Sequence, residues 1–332
     1  MNSFDLEALF ASFQNIKIGV IGDAMLDTYW FGKVERISPE APVPIVSVEK
    51  KEQRIGGAGN VALNLSALKS KVHLISVIGC DAEGEQLEKL LQNNNIHTEY
   101  IIKDQNRPTT NKIRIIGRQQ QMMRLDAELS HDLSEYLEEH FLSIFKNYIE
   151  QEQPQLVLME DYNKGVLTKK NIQQIISICK QHDVLIAVDP KKNNFFEYKG
   201  VDIFKPNLHE ATTALQMSNQ SFSVDMLHDI HQSLHNQLHH QISFITLSEK
   251  GVYYNDNQNE KHISTHVRTI NDVSGAGDTV IAVASLVYAA TKDVHLMAEL
   301  ANIAGGLVCE EVGTVAINRE QLLSECKKVN VN

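Results

Sequence analysis

The chain has no apolar run of the roughly 18 residues that a membrane-spanning helix needs, and its first fourteen residues carry Asp5 and Glu7 instead of a basic leader. Its four cysteines, Cys80, Cys179, Cys309 and Cys326, show no CxxC spacing and are too few to staple 332 residues, so they read as reduced thiols. Positive charge is also scarce. A net charge of -11 excludes an extended nucleic-acid or acidic-membrane surface, so any phosphate site must be local. No Gly-Lys-Ser/Thr follows a glycine loop, which removes the Walker A cradle for a nucleoside triphosphate. Internal repeats and low-complexity linkers are missing too, apart from the polar patch 255–261, read as a hairpin tip. These absences leave a soluble cytoplasmic protein with 42% hydrophobic content, enough for one large core.

What is present is an alternation of β-branched apolar runs with amphipathic segments, the pattern of a mostly parallel sheet flanked by helices. Strands are expected at 17–22, 72–78, 155–159, 184–188, 203–204 and 242–247, and helices at 59–68, 83–93, 168–182 and 223–238. In such α/β sheets ligands lie beyond the carboxyl ends of the strands, which places Asp23, Asp27, Asp161, Asp189 and Asn207 on one rim. Two stretches, 28–54 and 98–125, lack helical period and read as a small β-sheet lid, with paired surface hairpins as the alternative. His228, His231, His235 and His239 recur at helical spacing, each directly after an apolar residue. We read them as a solvated flank of an amphipathic helix, not a metal face.

Two glycine-rich loops carry the chemistry. The first runs Ile55-Gly56-Gly57-Ala58-Gly59-Asn60, where glycines allow close ligand approach and Asn60 can both donate to and accept from a hydroxyl. The second, Ser274-Gly275-Ala276-Gly277-Asp278, opens the apolar stretch 280–290 and aims several amides at one spot where a helix dipole favours an anion. A carboxylate at that spot repels a resting phosphate unless it has a proton to accept, so Asp278 reads as a general base for phosphoryl transfer. The plain alternative is a helix start that uses small residues for close packing.

Together and in this order, the two loops resemble the paired signatures of the ribokinase-like (PfkB) carbohydrate kinases. Within that family the strings 20–30, 36–44, 118–126, 161–165, 188–191 and 205–210 are similar to the kinases of D-glycero-D-manno-heptose 7-phosphate, over nearly the whole chain. The resemblance implies one ribokinase-like kinase domain over 1–332, with the lid covering the sugar and forming a homodimer contact. Many such kinases continue into a nucleotidyltransferase. Its His-x-Gly-His motif is missing here, so a standalone kinase is expected. Lys69 and Val283 depart from the signatures, where small residues are usual.

By resemblance, Asp278 is the base and the amides of Gly275, Ala276 and Gly277 form the anion hole. Asp23, Asp27, Gly56, Gly57 and Asn60 would hold sugar hydroxyls, with turn chemistry as the competing role for the two acids. The sugar's own phosphate needs a cationic grip, for which Arg118, Lys164 and Lys191 are chosen from a set that also holds Lys112, Arg114, Arg124 and Lys192. ATP would meet Asn207, Leu208, His209, Glu210, Thr246, Ser248, Gly251, Gly275, Gly277 and Asn302. Glu210 would reach Mg2+ through water, although Asn207 followed by Glu210 is equally a helix-capping pattern. A monovalent cation such as K+ is a further expectation. Trp30 is left between stacking on a sugar and anchoring the lid.

The implied reaction moves the γ-phosphoryl group of ATP to the anomeric hydroxyl of the heptose phosphate, giving the 1,7-bisphosphate on a route to ADP-heptose and lipopolysaccharide core. The alternatives are a kinase for another sugar or sugar phosphate, and a non-catalytic nucleotide-gated regulator. The intact Gly-Ala-Gly-Asp loop counts against the regulator.

Overall fold

The computed structural model describes residues 5–117, 120–217, 222–265, 268–329 and 331. The elements in chain order begin with α1 (Leu6–Ser12), β1 (Lys17–Gly22), β2 (Ala24–Ile37), β3 (Pro44–Gly57), α2 (Ala58–Ala67), β4 (Lys71–Gly79) and α3 (Ala82–Asn93). Next come β5 (Ile96–His97), β6 (Ile101–Asp104), β7 (Thr110–Gly117), β8 (Gln120–Ala127), α4 (Glu135–Glu152), β9 (Leu156–Glu160), α5 (Lys169–Gln181) and β10 (Leu185–Asp189). The remainder is β11 (Ile203–Phe204), α6 (Leu208–Ala214), α7 (Val224–Leu238), β12 (Ile242–Thr246), β13 (Val252–Asn255), β14 (Glu260–Ile263), α8 (Ala276–Thr291), α9 (Val294–Val308) and α10 (Arg319–Lys328).

A 10-stranded sheet runs in the order β14-β13-β12-β11-β10-β9-β1-β4-β5, with β6 also on β4. Its pairs are parallel from β5 to β12, and only the β12–β13–β14 edge is antiparallel. Strands buried on both faces explain the near-continuous apolar runs. Leu156 and Leu158 of β9 point into a core with α2, α8 and α9, while Val157 and Met159 point into another with α4, α5 and α7. Among the described residues no helix is long and apolar enough to cross a membrane.

The second sheet has four strands in the order β3-β2-β7-β8. Its bounds differ from the expected 28–54 and 98–125. β2 and β3 extend inward to Ala24 and Gly57, while β6 joins the large sheet by pairing with β4. Ile102 is buried there, so the 98–104 segment follows the core, and the chain enters the small sheet only at Thr110. The turn expected at 255–261 joins antiparallel β13 and β14.

Two smaller expectations change. His231 is not on a solvated flank: it is buried, with Nδ1 2.9 Å from Ser243 Oγ and Nε2 3.1 Å from Asn257 Oδ1. His228 and His239 are exposed as expected. Lys69 has φ 74°, the left-handed region, which is why a residue without a bulky Cβ suits that turn better.

Candidate active site

The α8 start is set by Gly275, which caps the helix at φ 78°, a conformation that disfavours a Cβ. Asp272 fixes the loop ahead of it, accepting from the N–H of Ser274 and of Gly313, each at 2.9 Å. Asp278 falls in the first turn, buried, with its carboxylate held from two sides. Asn60 Nδ2 donates to Oδ2 at 2.7 Å, and the Tyr162 hydroxyl donates to Oδ1 at 2.9 Å. Asn60 arrives there because Gly57, at φ 58°, turns β3 directly into α2, and the Ala58 N–H closes on the Asp23 carbonyl at 3.0 Å. A second clasp joins the same helices, where Thr279 Oγ1 donates to Asn64 Oδ1 at 3.1 Å. The two glycine loops therefore meet.

Burial pushes Asp278 up to about 6; Asp189 adds to the rise, while Asn60, Tyr162 and Lys191 oppose it. A carboxylate tuned upward in this way is poised near neutral pH as a proton acceptor. The expected nest of three amides is reduced. The Ala276 N–H is engaged by the Val273 carbonyl at 3.2 Å, because the chain forms a tight turn before the helix.

Asp23 and Asp27 are both buried but in different employment. Asp23 accepts three backbone N–H groups, from Tyr162, Lys164 and Val166, at 3.0, 3.0 and 3.1 Å. It thereby shapes the loop after β9, and burial pushes it up to about 6. Asp27 lies within β2 as the ion-pair partner of Arg114 from β7. Gly56 lets it sit close, since a Cβ there would stand 2.5 Å from Asp27 Oδ2 and push that carboxylate aside. Neither acid stands free at a strand end.

At the carboxyl ends of β9 and β10 lies a cluster only partly expected. Glu160, Asp189 and Asp278 bring carboxylate oxygens within 4.8 Å of one another, all buried. Both Glu160 oxygens lack a hydrogen-bond partner among the described residues, and burial with Asp189 and Asp278 nearby holds its proton affinity well above the usual carboxylate range. Asp189 is kept ionised despite burial by Lys191 at 3.2 Å and by buried Lys205 at 2.9 Å. Burial alone would depress Lys191, but Asp189, Glu160 and Glu210 outweigh it and keep it protonated. Hard oxygen donors with two orphaned buried atoms fit a magnesium ion that retains most of its water.

At the start of α6, Asn207 and Glu210 form a reciprocal capping box, each backbone N–H accepted by the other's side chain at 2.8 Å. The remaining Glu210 oxygen lies 3.3 Å from Lys191, which ties α6 to the acidic cluster. A slot of about 510 Å³ opens beside it, lined by Leu208, His209, Ser248 and Lys250 and by apolar Met217, Phe222 and Leu247. Thr246 bridges to Asn207 at the end of β12, and Gly251, at φ 95°, holds the turn where a Cβ would strike the Ile263 carbonyl. Asn302 does not line this slot; it is buried in α9 and donates to the Ser264 carbonyl at 3.0 Å.

Of the three cations chosen for the sugar phosphate, Arg118 lies outside the described residues. Lys164 pairs with Glu128 and Lys191 with the acids above. Lys112 and Lys191 stand on the Tyr162 ring, 5.3 and 5.5 Å from its centroid. Trp30 sits in the small sheet under Lys51, 4.7 Å from its ring. Glu160, Lys205 and the Tyr162 hydroxyl were missed. The available signal for Glu160 was a pair of acids, Glu160-Asp161, ending an otherwise apolar strand.

A buried carboxylate at a helix start, on the carboxyl rim of a parallel sheet and close to a slot of about 510 Å³, fits a ribokinase-like sugar phosphotransferase. The chain belongs to the pfkB family of carbohydrate kinases, whose description matches residues 15–321. It is 34% identical over 325 residues to a D-beta-D-heptose 7-phosphate kinase of Bordetella bronchiseptica, covering 98% of this chain and 99% of that protein. It is 40% identical over 309 residues to a bifunctional protein HldE of Nitratiruptor sp., covering 92% of this chain but 64% of the relative. The chain thus spans just under two thirds of that bifunctional protein. In fold it is similar to an Arabidopsis thaliana ribokinase complexed with ribose and ATP, at TM-score 0.73 and 17% identity, covering 93% of this chain and 98% of that one.

Proposed function

We propose that this sugar kinase transfers the γ-phosphoryl group of ATP to the anomeric hydroxyl of D-glycero-D-manno-heptose 7-phosphate, supplying the 1,7-bisphosphate for ADP-heptose and lipopolysaccharide core in the cytoplasm. The observation that carries the reading is the Asp278 carboxylate clasped by Asn60 of the other glycine loop at 2.7 Å. The names of the Bordetella and Nitratiruptor relatives support the substrate.

Asp278 accepts the hydroxyl proton while Asn60 and Tyr162 hold its two oxygens in place. The amides of Gly275 and Gly277 at the positive end of α8 receive charge from the moving phosphoryl group. The Gly56–Gly57 turn takes sugar hydroxyls, while Asp23 acts through the loop it orders. Lys112, Arg114, Lys164 and Lys191 give the cationic grip on the 7-phosphate. The slot beside Asn207 and Ser248 receives the nucleotide. Mg2+, held through Asp189, Glu160 and water-linked Glu210, would neutralise phosphate charge when bound. The lid would also pair with a second copy, a reading supported by Ile37, Met123 and Leu125, apolar and exposed on the small sheet, and by Val43 in the turn between β2 and β3.

The test is a substrate panel. With ATP and Mg2+, heptose 7-phosphate is expected to give the highest kcat/KM among heptose 7-phosphate, fructose 6-phosphate, ribose and fructose. Dominance of an unphosphorylated sugar would reject the cationic grip and the substrate together.

A further inference from the structure

At the opposite end of the large sheet from the cleft, where the strands begin, a second pocket of about 430 Å³ is lined by Lys17, Lys71, His73, His97, Glu99, Tyr100 and Glu152. His73 points out of β4 and His97 out of the two-residue edge strand β5, so their rings stack with centroids 4.5 Å apart at 21°. His73 is only 6% exposed, and its Nδ1 has no hydrogen-bond partner among the described residues. Its Nε2 faces Glu152 at 3.9 Å, beyond hydrogen-bond range. One ligand atom each from His73, His97 and Glu99 lies within 4.8 Å of the others, and His97 Nδ1 stands 3.3 Å from Glu99 Oε1. Zinc bonds of about 2.0–2.1 Å in a tetrahedron separate neighbouring ligands by roughly 3.3 Å.

Charge decides between a cation and an anion. Lys17 is already engaged by the Glu152 carbonyl at 2.9 Å and by its carboxylate at 3.4 Å. Glu99 and Glu152 together offset Lys17 and Lys71, so no positive excess remains to draw an anion. Two imidazoles with a carboxylate suit zinc better than magnesium or calcium.

We propose that His73, His97 and Glu99 bind one Zn2+ in this pocket, remote from the phosphoryl-transfer cleft, with the exposed His97 ring turned out of its stack on His73 so that both in-plane lone pairs reach the ion, which then clamps the edge strand β5 against β4. The fourth position falls to water or to Glu152. The role is structural, so catalysis should not require it.

Equilibrium dialysis of untagged protein against Zn2+ in excess Mg2+, which keeps the acidic cluster of the cleft filled, with thermal unfolding on the same samples, tests this. One equivalent is expected to bind and to raise Tm. The double variant His97→Ala/Glu99→Gln changes two exposed side chains, so it should keep the zinc-free Tm and kinase turnover. It should bind Zn2+ at least about tenfold more weakly and lose the Tm rise. Failure of the wild type to bind one equivalent overturns the proposal, as does equal affinity in the variant, which would place the ion at another site.

Discussion

At the scale of single residues, the account rests on how a buried carboxylate is tuned. Asp278 is raised to about 6 mainly by burial, and the hydrogen bond from the Asn60 amide opposes that rise most strongly. A base works deprotonated, so kcat/KM should rise about tenfold per pH unit below that value and level off above it. Replacing Asn60 removes the stabilising donor, so in Asn60→Ala the acid limb should move upward by on the order of one pH unit. A residue that merely packed would lower activity without moving the limb. A pH–rate profile of the two proteins checks this, and coincident limbs would remove Asn60 from its positioning role. Glu160 shows where reading residues in a row stops. Nothing local distinguishes it from Asp161, yet among the described residues Glu160 has both oxygens unengaged while Asp161 accepts from Tyr198 at 2.7 Å and from the Asn163 N–H at 2.7 Å.

At the scale of elements, strands and helices with strong period were legible. β1, β10 and α5 lie within a residue or two of their expected bounds, because apolar alternation there is enforced by burial on both faces of the sheet. The second lid segment was misplaced because Ile101 and Ile102 read as strand whichever sheet they join; only pairing with β4 decides it. His231 was misread for a similar reason. Its partners Ser243 and Asn257 come from β12 and the β13–β14 turn, so its burial is visible only in the folded chain. The lid itself carries a prediction. β8 is an edge strand exposed along its whole length, with Met123 54% and Leu125 42% accessible. An apolar edge of this kind invites pairing with a second copy. Sedimentation should give a dimer mass, and Met123→Glu/Leu125→Glu should shift it to monomer. A monomer at all concentrations, or a dimer indifferent to both changes, would contradict pairing through the lid.

At the scale of the whole molecule, the question is why contacts separated by 218 residues should form one site. The sheet answers it. β1 and β9 are adjacent, so the turn after β1 and the loop after β9 share one rim, and α2 packs on α8 across the same end. Sequence supplied both glycine loops, but which side chains bridge them depends on helix packing that no local pattern records. The capping box of Asn207 and Glu210 shows the converse, a pattern read correctly in its plain sense that also reaches the acidic cluster through Lys191. The central claim is that Asp278 removes the proton. Its most direct test is steady-state turnover of Asp278→Asn, with ATP and sugar phosphate affinities measured alongside. The account predicts a fall in kcat of roughly 10²–10⁴-fold with both affinities nearly unchanged; turnover within about threefold of wild type would contradict it.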